Sequence, residues 1–287
     1  MFTLPLKAAG VRRAELATLA AVRLGFYTQA KELWGFMAAR TIDEVLEQLD
    51  EIVDLAHREK SRLGYFAALY RNVTSKVNEG ILAGTFDDGA RMQRFDVAFA
   101  NRYLDALERY HRGDEPSKCW RTTFRAADDW HPIVLQHLLL GINSHINLDL
   151  GIAAAQTSPG TQLAGLKRDF DSINDVLWAM LDDVQDKLRL VSPLMSWLDS
   201  AGGRSDEVIM NFSIKRARDA AWRVAERLAP LTPEAMQKEI DVLDRWVDVL
   251  AGVIEHPPDN TIRLATFFVR LTESRDVGKV IDVLAGD

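Results

Sequence analysis

One segment limits what this chain can fold into more than any other. Residues 130–151 are apolar enough to be buried on every side, yet they carry Gln136, His137, Asn143, His145, Asn147 and Asp149. A polar group taken out of water costs free energy unless it finds a partner. The segment is therefore either a core whose polar groups satisfy one another or the wall of a site. Read as a helix, it has His131 on the N-cap side and Pro132 at the first position, where a missing N–H is harmless. At about 100° per residue, His145 and Asp149 share a face with Leu138, Gly141 and Ile142. Gln136, Asn143 and Asn147 form a second stripe, and His137 and Ser144 a third. His137 and His145 lie roughly 12 Å apart along the axis, too far to hold one ion together. His145 and Asp149 are one turn apart and could converge on one ion or one proton.

The rest of the chain also reads as helix. Thr41-Ile42-Asp43-Glu44 spells a capping box, followed by Val45, Leu46, Leu49, Ile52 and Val53 at helical spacing. Arg71 sits in apolar company near Tyr65, Phe66 and Tyr70, where a guanidinium needs a carboxylate or a ligand. A long helix over residues 91–110 has polar groups on two sides: Arg94, Asn101 and Asp105 on one, Asp96 beside Ala100 and Tyr103 on the other. That pattern suits a helix lying beside a wet cavity. Further helices open at Ser205 and at Thr232-Pro233-Glu234, and two shorter ones follow His256-Pro257-Pro258. No alternating strand pattern is present. The expectation is an all-α protein: one multi-helix bundle of about nine or ten helices around a buried central helix. Residues 1–40 read as an N-terminal helical arm and residues 41–287 as the core domain. The arm either docks on its own core or packs on a second copy to form a homodimer.

Composition narrows the function classes. A net charge of −7 argues against nucleic acid as a partner, because phosphate contacts need a basic surface. The lone Cys119 fits a reducing compartment. No run looks long enough to span a bilayer, and the basic residues Lys7, Arg12 and Arg13 interrupt any leader-like core. A cytoplasmic protein without membrane contact is expected. There is no Gly-rich phosphate loop, no Gly-x-Ser-x-Gly elbow, no His-Glu-x-x-His and no pair of Glu-x-x-His motifs.

The runs Arg62-Leu63-Gly64-Tyr65-Phe66-Ala67-Ala68-Leu69-Tyr70, Phe95-Asp96-Val97-Ala98-Phe99-Ala100-Asn101-Arg102-Tyr103-Leu104-Asp105 and Leu135-Gln136-His137 through Asn143-Ser144-His145-Ile146-Asn147-Leu148-Asp149-Leu150-Gly151 are distinctive. Together with Asn211-Phe212-Ser213-Ile214 and Arg216-Ala217-Arg218-Asp219, they resemble a bacterial all-helical family catalogued as a domain of unknown function. The similarity covers residues 40–229. It implies an all-helical fold and no particular activity, with the arm before Arg40 an addition to the shared core.

Two function classes fit these residues. In the first, a small-molecule enzyme works inside the bundle, with His145 and Asp149 as catalytic groups and His137 as a second proton-transfer group. Asn101, Asn143, Asn147, Arg71 and Gln136 would hold the substrate. A Zn or Fe ion on His145, Asp149 and Asp96, with His57, Asp171 and Asp175 as other candidate ligands, would make it a metal-assisted hydrolase. Without the ion, Asp149 orients His145 as a general acid or base, for isomerisation or cyclisation. In the second class, the same polar groups are a non-catalytic ligand-binding or scaffolding core. Arg216, Arg218 and Asp219 look like an exposed ion-pair face, and Cys119 like a small buried side chain.

Overall fold

The computed structural model describes residues 38–194 and 214–286. The arm expected over residues 1–40 lies outside them except for residues 38–40. The helix opening at Ser205 and the Asn211-Phe212-Ser213 run lie outside them as well.

Thr41 caps the first described helix, α1 (Ile42–Glu59), by accepting from the Glu44 N–H at 3.1 Å, and Glu44 accepts in return from the Arg40 N–H at 2.6 Å. α2 (Leu63–Leu82) packs along α1, and α3 (Gly89–Arg112) lies against both. A short α4 (Lys118–Ala126) leads to the central rod. The rod is continuous but not uniform: α5 (Val134–Ile142), a π-helical stretch (Asn143–Leu150) and α6 (Gly151–Thr157). Then come α7 (Leu163–Val191), α8 (Ile214–Leu228), α9 (Pro233–Glu255), α10 (Asn260–Thr272) and α11 (Val277–Ala285). The described residues thus hold eleven α-helices and no strand. With α5, the π stretch and α6 counted as one rod, the expected bundle is observed.

The rod is the centre of the packing. α2 lies on α5, α3 on the π stretch and α6, α8 on the π stretch and α6, and α9 on α5 and the π stretch. Ala153, Ala154 and Ala155 are fully buried; their small side chains let neighbouring helices come close. Two glycines set the closest approaches. A Cβ on Gly141 would lie 2.4 Å from the Phe66 ring, and one on Gly151 would lie 2.5 Å from the Ala221 carbonyl oxygen of α8. The Phe66 contact is with a side chain, whereas a backbone oxygen moves only with its helix. Gly151→Ala is therefore expected to cost about 1–3 kcal/mol by overpacking, read as a lower urea midpoint with an unchanged slope.

Val134–Thr157 is long and apolar enough, by length and composition, to cross a bilayer, so one run does reach the length not expected from the sequence. Within the fold, 78% of its apolar window is buried among other helices, as in the core helix of a globular bundle.

Three helix entrances are capped from far along the chain. Orphan N–H groups at a helix start need acceptors, and here carboxylates from other elements supply them. Asp169 of α7 accepts from the Asp87 and Asp88 N–H groups and from Arg91 at the start of α3. Asp244 of α9 accepts from the Lys118 and Cys119 N–H groups of α4. Glu273, just after α10, accepts from the Val134 N–H with both oxygens at 3.1 Å. The central rod therefore begins at Val134, not at His131. Pro132 lies before it, and the exposed His131 ring faces Asp129 at 2.6 Å instead. Trp246, which its spacing groups with the apolar face of α9, is exposed.

Candidate active site

The π stretch carries His145 and Asp149. In a π-helix the turn is widened by one residue, and such segments recur at functional sites. The pair survives the widening. Asp149 Oδ2 lies 3.4 Å from His145 Nδ1, a long hydrogen bond. The same oxygen accepts from the Trp120 indole N–H at 2.8 Å, and Oδ1 accepts from Arg102 Nε at 2.7 Å. Asp149 is 1% exposed. Burial alone would raise its carboxyl pKa. The Arg102 guanidinium, with hydrogen bonds from His145 and Trp120, outweighs burial and holds it below the usual carboxylate range.

His145 is equally buried, and desolvation lowers its pKa despite the neighbouring Asp149 carboxylate. The imidazole is therefore neutral near pH 7. An ionised carboxylate only accepts, so Nδ1 carries the proton toward Asp149 and Nε2 keeps a free lone pair. Aromatic rings fix the imidazole in place. Phe99 stacks on it with centroids 3.6 Å apart, and Tyr70 meets it edge-on at 4.5 Å. Nε2 is buried and has no hydrogen-bond partner.

His145 borders a cavity of about 130 Å³ between α2, α3, the rod, α7 and α8. The described lining residues are apolar except for Tyr70, Asp96, His145 and Arg218. Each of these four has a buried atom without a partner: Tyr70 Oη, Asp96 Oδ2, His145 Nε2 and Arg218 Nε. The Tyr70 hydroxyl lies beside that of Thr74, but neither reaches hydrogen-bonding geometry. Native cores rarely leave such atoms unsatisfied, and four bordering one cavity mark it as a binding site candidate. Burial raises the Asp96 carboxyl pKa from 3.8 to about 7. Burial, then the nearby Asp96 carboxylate, drives the Tyr70 phenol well above its ordinary value. Asp96 thus sits near half-protonation at neutral pH beside a neutral imidazole.

The structure puts His145 and Asp96 on the lining of this hollow, leaves Asp149 off the lining but hydrogen-bonded to His145, and puts the other candidates elsewhere. His137 packs edge-on against Tyr65 at 5.6 Å, away from the cavity lining, and burial holds it neutral with a pKa of about 3. Asn101 makes two 2.8 Å hydrogen bonds with the Ala39 backbone. Asn143 donates to the Val247 carbonyl of α9 and accepts from Asn147. Gln136 accepts from the Ile133 N–H and donates to the carbonyls of Ile254 and Glu255, tying the rod to the end of α9. Arg71 pairs with Asp50 across α1 and α2. His57 faces Asp282, and Asp171 pairs with Lys167. Among the described residues, no group of three or more His, Cys, Asp or Glu side chains is placed to hold a metal ion.

Four participants were not expected from sequence: Arg102, Trp120, Tyr70 and Arg218. Arg218 corrects an expectation outright. It is 3% exposed and borders the cavity, whereas Lys215 and Asp219 form the exposed pair on that helix. The signal was present, since Arg218 falls with Ala221, Trp222 and Ala225 at i, i+3, i+4 and i+7, the buried stripe of α8.

No curated protein and no solved structure matches this chain. A family model described as "Family of unknown function (DUF5995)" matches residues 42–257, from α1 through α9 and past the limit of the resemblance read from the motifs. That span includes every described polar residue of the cavity and three-quarters of the chain, and the protein accordingly belongs to the DUF5995 family.

Proposed function

We propose that the cavity is the active site of a small-molecule enzyme that moves protons within a partly apolar substrate. His145 Nε2 is the base, Asp149 orients the imidazole and stabilises it when charged, and Asp96 is the acid that returns a proton. The observation that carries this reading is that one mostly apolar cavity is bordered by an imidazole with a free Nε2 and by a buried carboxyl with an unpartnered Oδ2, whose pKa burial pushes up to about 7. General acids and bases work best with pKa values near the working pH, and buried groups shifted this way cluster at functional sites. Isomerisation or cyclisation is preferred to hydrolysis because the lining is mostly apolar and suits a hydrocarbon body. Both Asp149 oxygens already accept hydrogen bonds, so the chemistry is assigned to proton transfer without calling on Zn or Fe.

The test is solvent exchange. Purified protein is incubated in D2O with a small-metabolite extract, and deuterium uptake is followed by mass spectrometry. Wild type is expected to label a restricted set of compounds. His145→Gln and Asp96→Asn are expected to slow labelling by about 10²-fold or more. Labelling that ignores both substitutions, or no labelling by a protein that binds ligand, would leave a binding role as the better account.

A further inference from the structure

Arg218 is what the proton-transfer chemistry does not use. Its guanidinium is buried, lies 4.5 Å over the Phe170 ring and donates to the Phe170 carbonyl, yet Nε has no partner. Among the described residues, the carboxylates that act on it, Asp171 and Asp219, stand off from hydrogen-bonding contact and each pairs with a lysine, Lys167 and Lys215. Asp96 borders the same cavity, but its Oδ2 is also unpartnered. A buried cation that no carboxylate hydrogen-bonds among the described residues is costly for a core to hold, and guanidinium is built to receive a planar anion.

The geometry points to a monocarboxylic acid with a compact hydrocarbon body as the ligand, its carboxylate on Arg218 and its apolar part lying along the cavity toward His145. One guanidinium matches one negative charge, whereas a phosphate dianion would ask for more donors than these walls offer. Size follows from volume. A comparable cavity of about 150 Å³ holds benzene, so a volume of about 130 Å³ takes a body of about six carbons. The assignment deepens the proposed function by naming its substrate class, and rests on that reading only in sharing the cavity.

The full chain is titrated calorimetrically at pH 7.5 with sodium hexanoate and, separately, with 1-hexanol. Hexanoate is expected to bind at least tenfold tighter. Arg218→Gln should abolish that preference while leaving hexanol unchanged. Leu177→Phe, on the cavity wall, should weaken both by tenfold or more. Equal binding of acid and alcohol, a preference that persists in Arg218→Gln, binding untouched by Leu177→Phe, or no binding of either compound overturns the assignment. If Arg218→Gln does not fold, the wild-type preference and the weakening of both compounds in Leu177→Phe decide the matter alone. Acid-selective binding without deuterium uptake would sink proton transfer and keep this inference. Uptake into neutral compounds with no preference for acids would do the reverse.

Discussion

Asp96→Asn is expected to stabilise the protein by about 4 kcal/mol at pH 8 and to change its stability little at pH 4, while suppressing activity. The figure follows from linkage. Burial raises the Asp96 pKa from its ordinary 3.8 to about 7, and each tenfold difference in protonation is worth about 1.4 kcal/mol. Below pH 3.8 the carboxyl is protonated whether the chain is folded or not, so it carries no penalty. As pH rises from 3.8 to about 7, the unfolded chain releases this proton and the folded chain keeps it, so stability falls. Above about 7 the native state holds a buried, unpaired carboxylate and the loss is complete. Asparagine resembles the neutral acid at every pH and escapes the loss. Urea unfolding of both proteins at pH 4 and pH 8 measures the difference. A trade of stability for a reactive group is common at active sites, whereas a purely structural Asp96 has no reason to be unpartnered.

Asp149→Ala is expected to have the opposite sign and to cost about 3–5 kcal/mol near neutral pH, the usual price of removing one member of a buried pair. The loss strands the Trp120 N–H, the His145 imidazole and the Arg102 guanidinium together. Arg102 is a quarter exposed, so water recovers part of its solvation and the lower end of the range applies. Arg102→Met combined with Asp149→Leu should cost less than the sum of the two single losses, because the pair leaves together and no charge is left behind. Additive losses in that cycle would mean that the two side chains do not depend on each other.

The helices and the central segment were legible because apolar spacing and local caps are local signals. Thr41 illustrates this: its partner, Glu44, lies within the same turn. The His145–Asp149 pair was legible for the same reason, being one turn apart. What the sequence hid was long-range. Arg102 and Trp120 reach Asp149 across 47 and 29 residues, and Glu273 caps the rod across 139. Nothing in a window of ten residues encodes those encounters. The asparagines and Gln136 misled for a related reason: an amide on an apolar helix face looks the same whether its partner is a ligand or the carbonyl of a neighbouring helix. The π stretch was invisible because a single extra residue per turn leaves no mark in composition.

The central claim is that an acid and a base, both kept from water, share the cavity with their reactive atoms free. It is tested most directly by a carbon-13 NMR titration of the Asp96 carboxyl in the otherwise unaltered protein, with Asp96→Asn assigning the resonance. The account predicts a midpoint near 7, and a midpoint near 4 would contradict it.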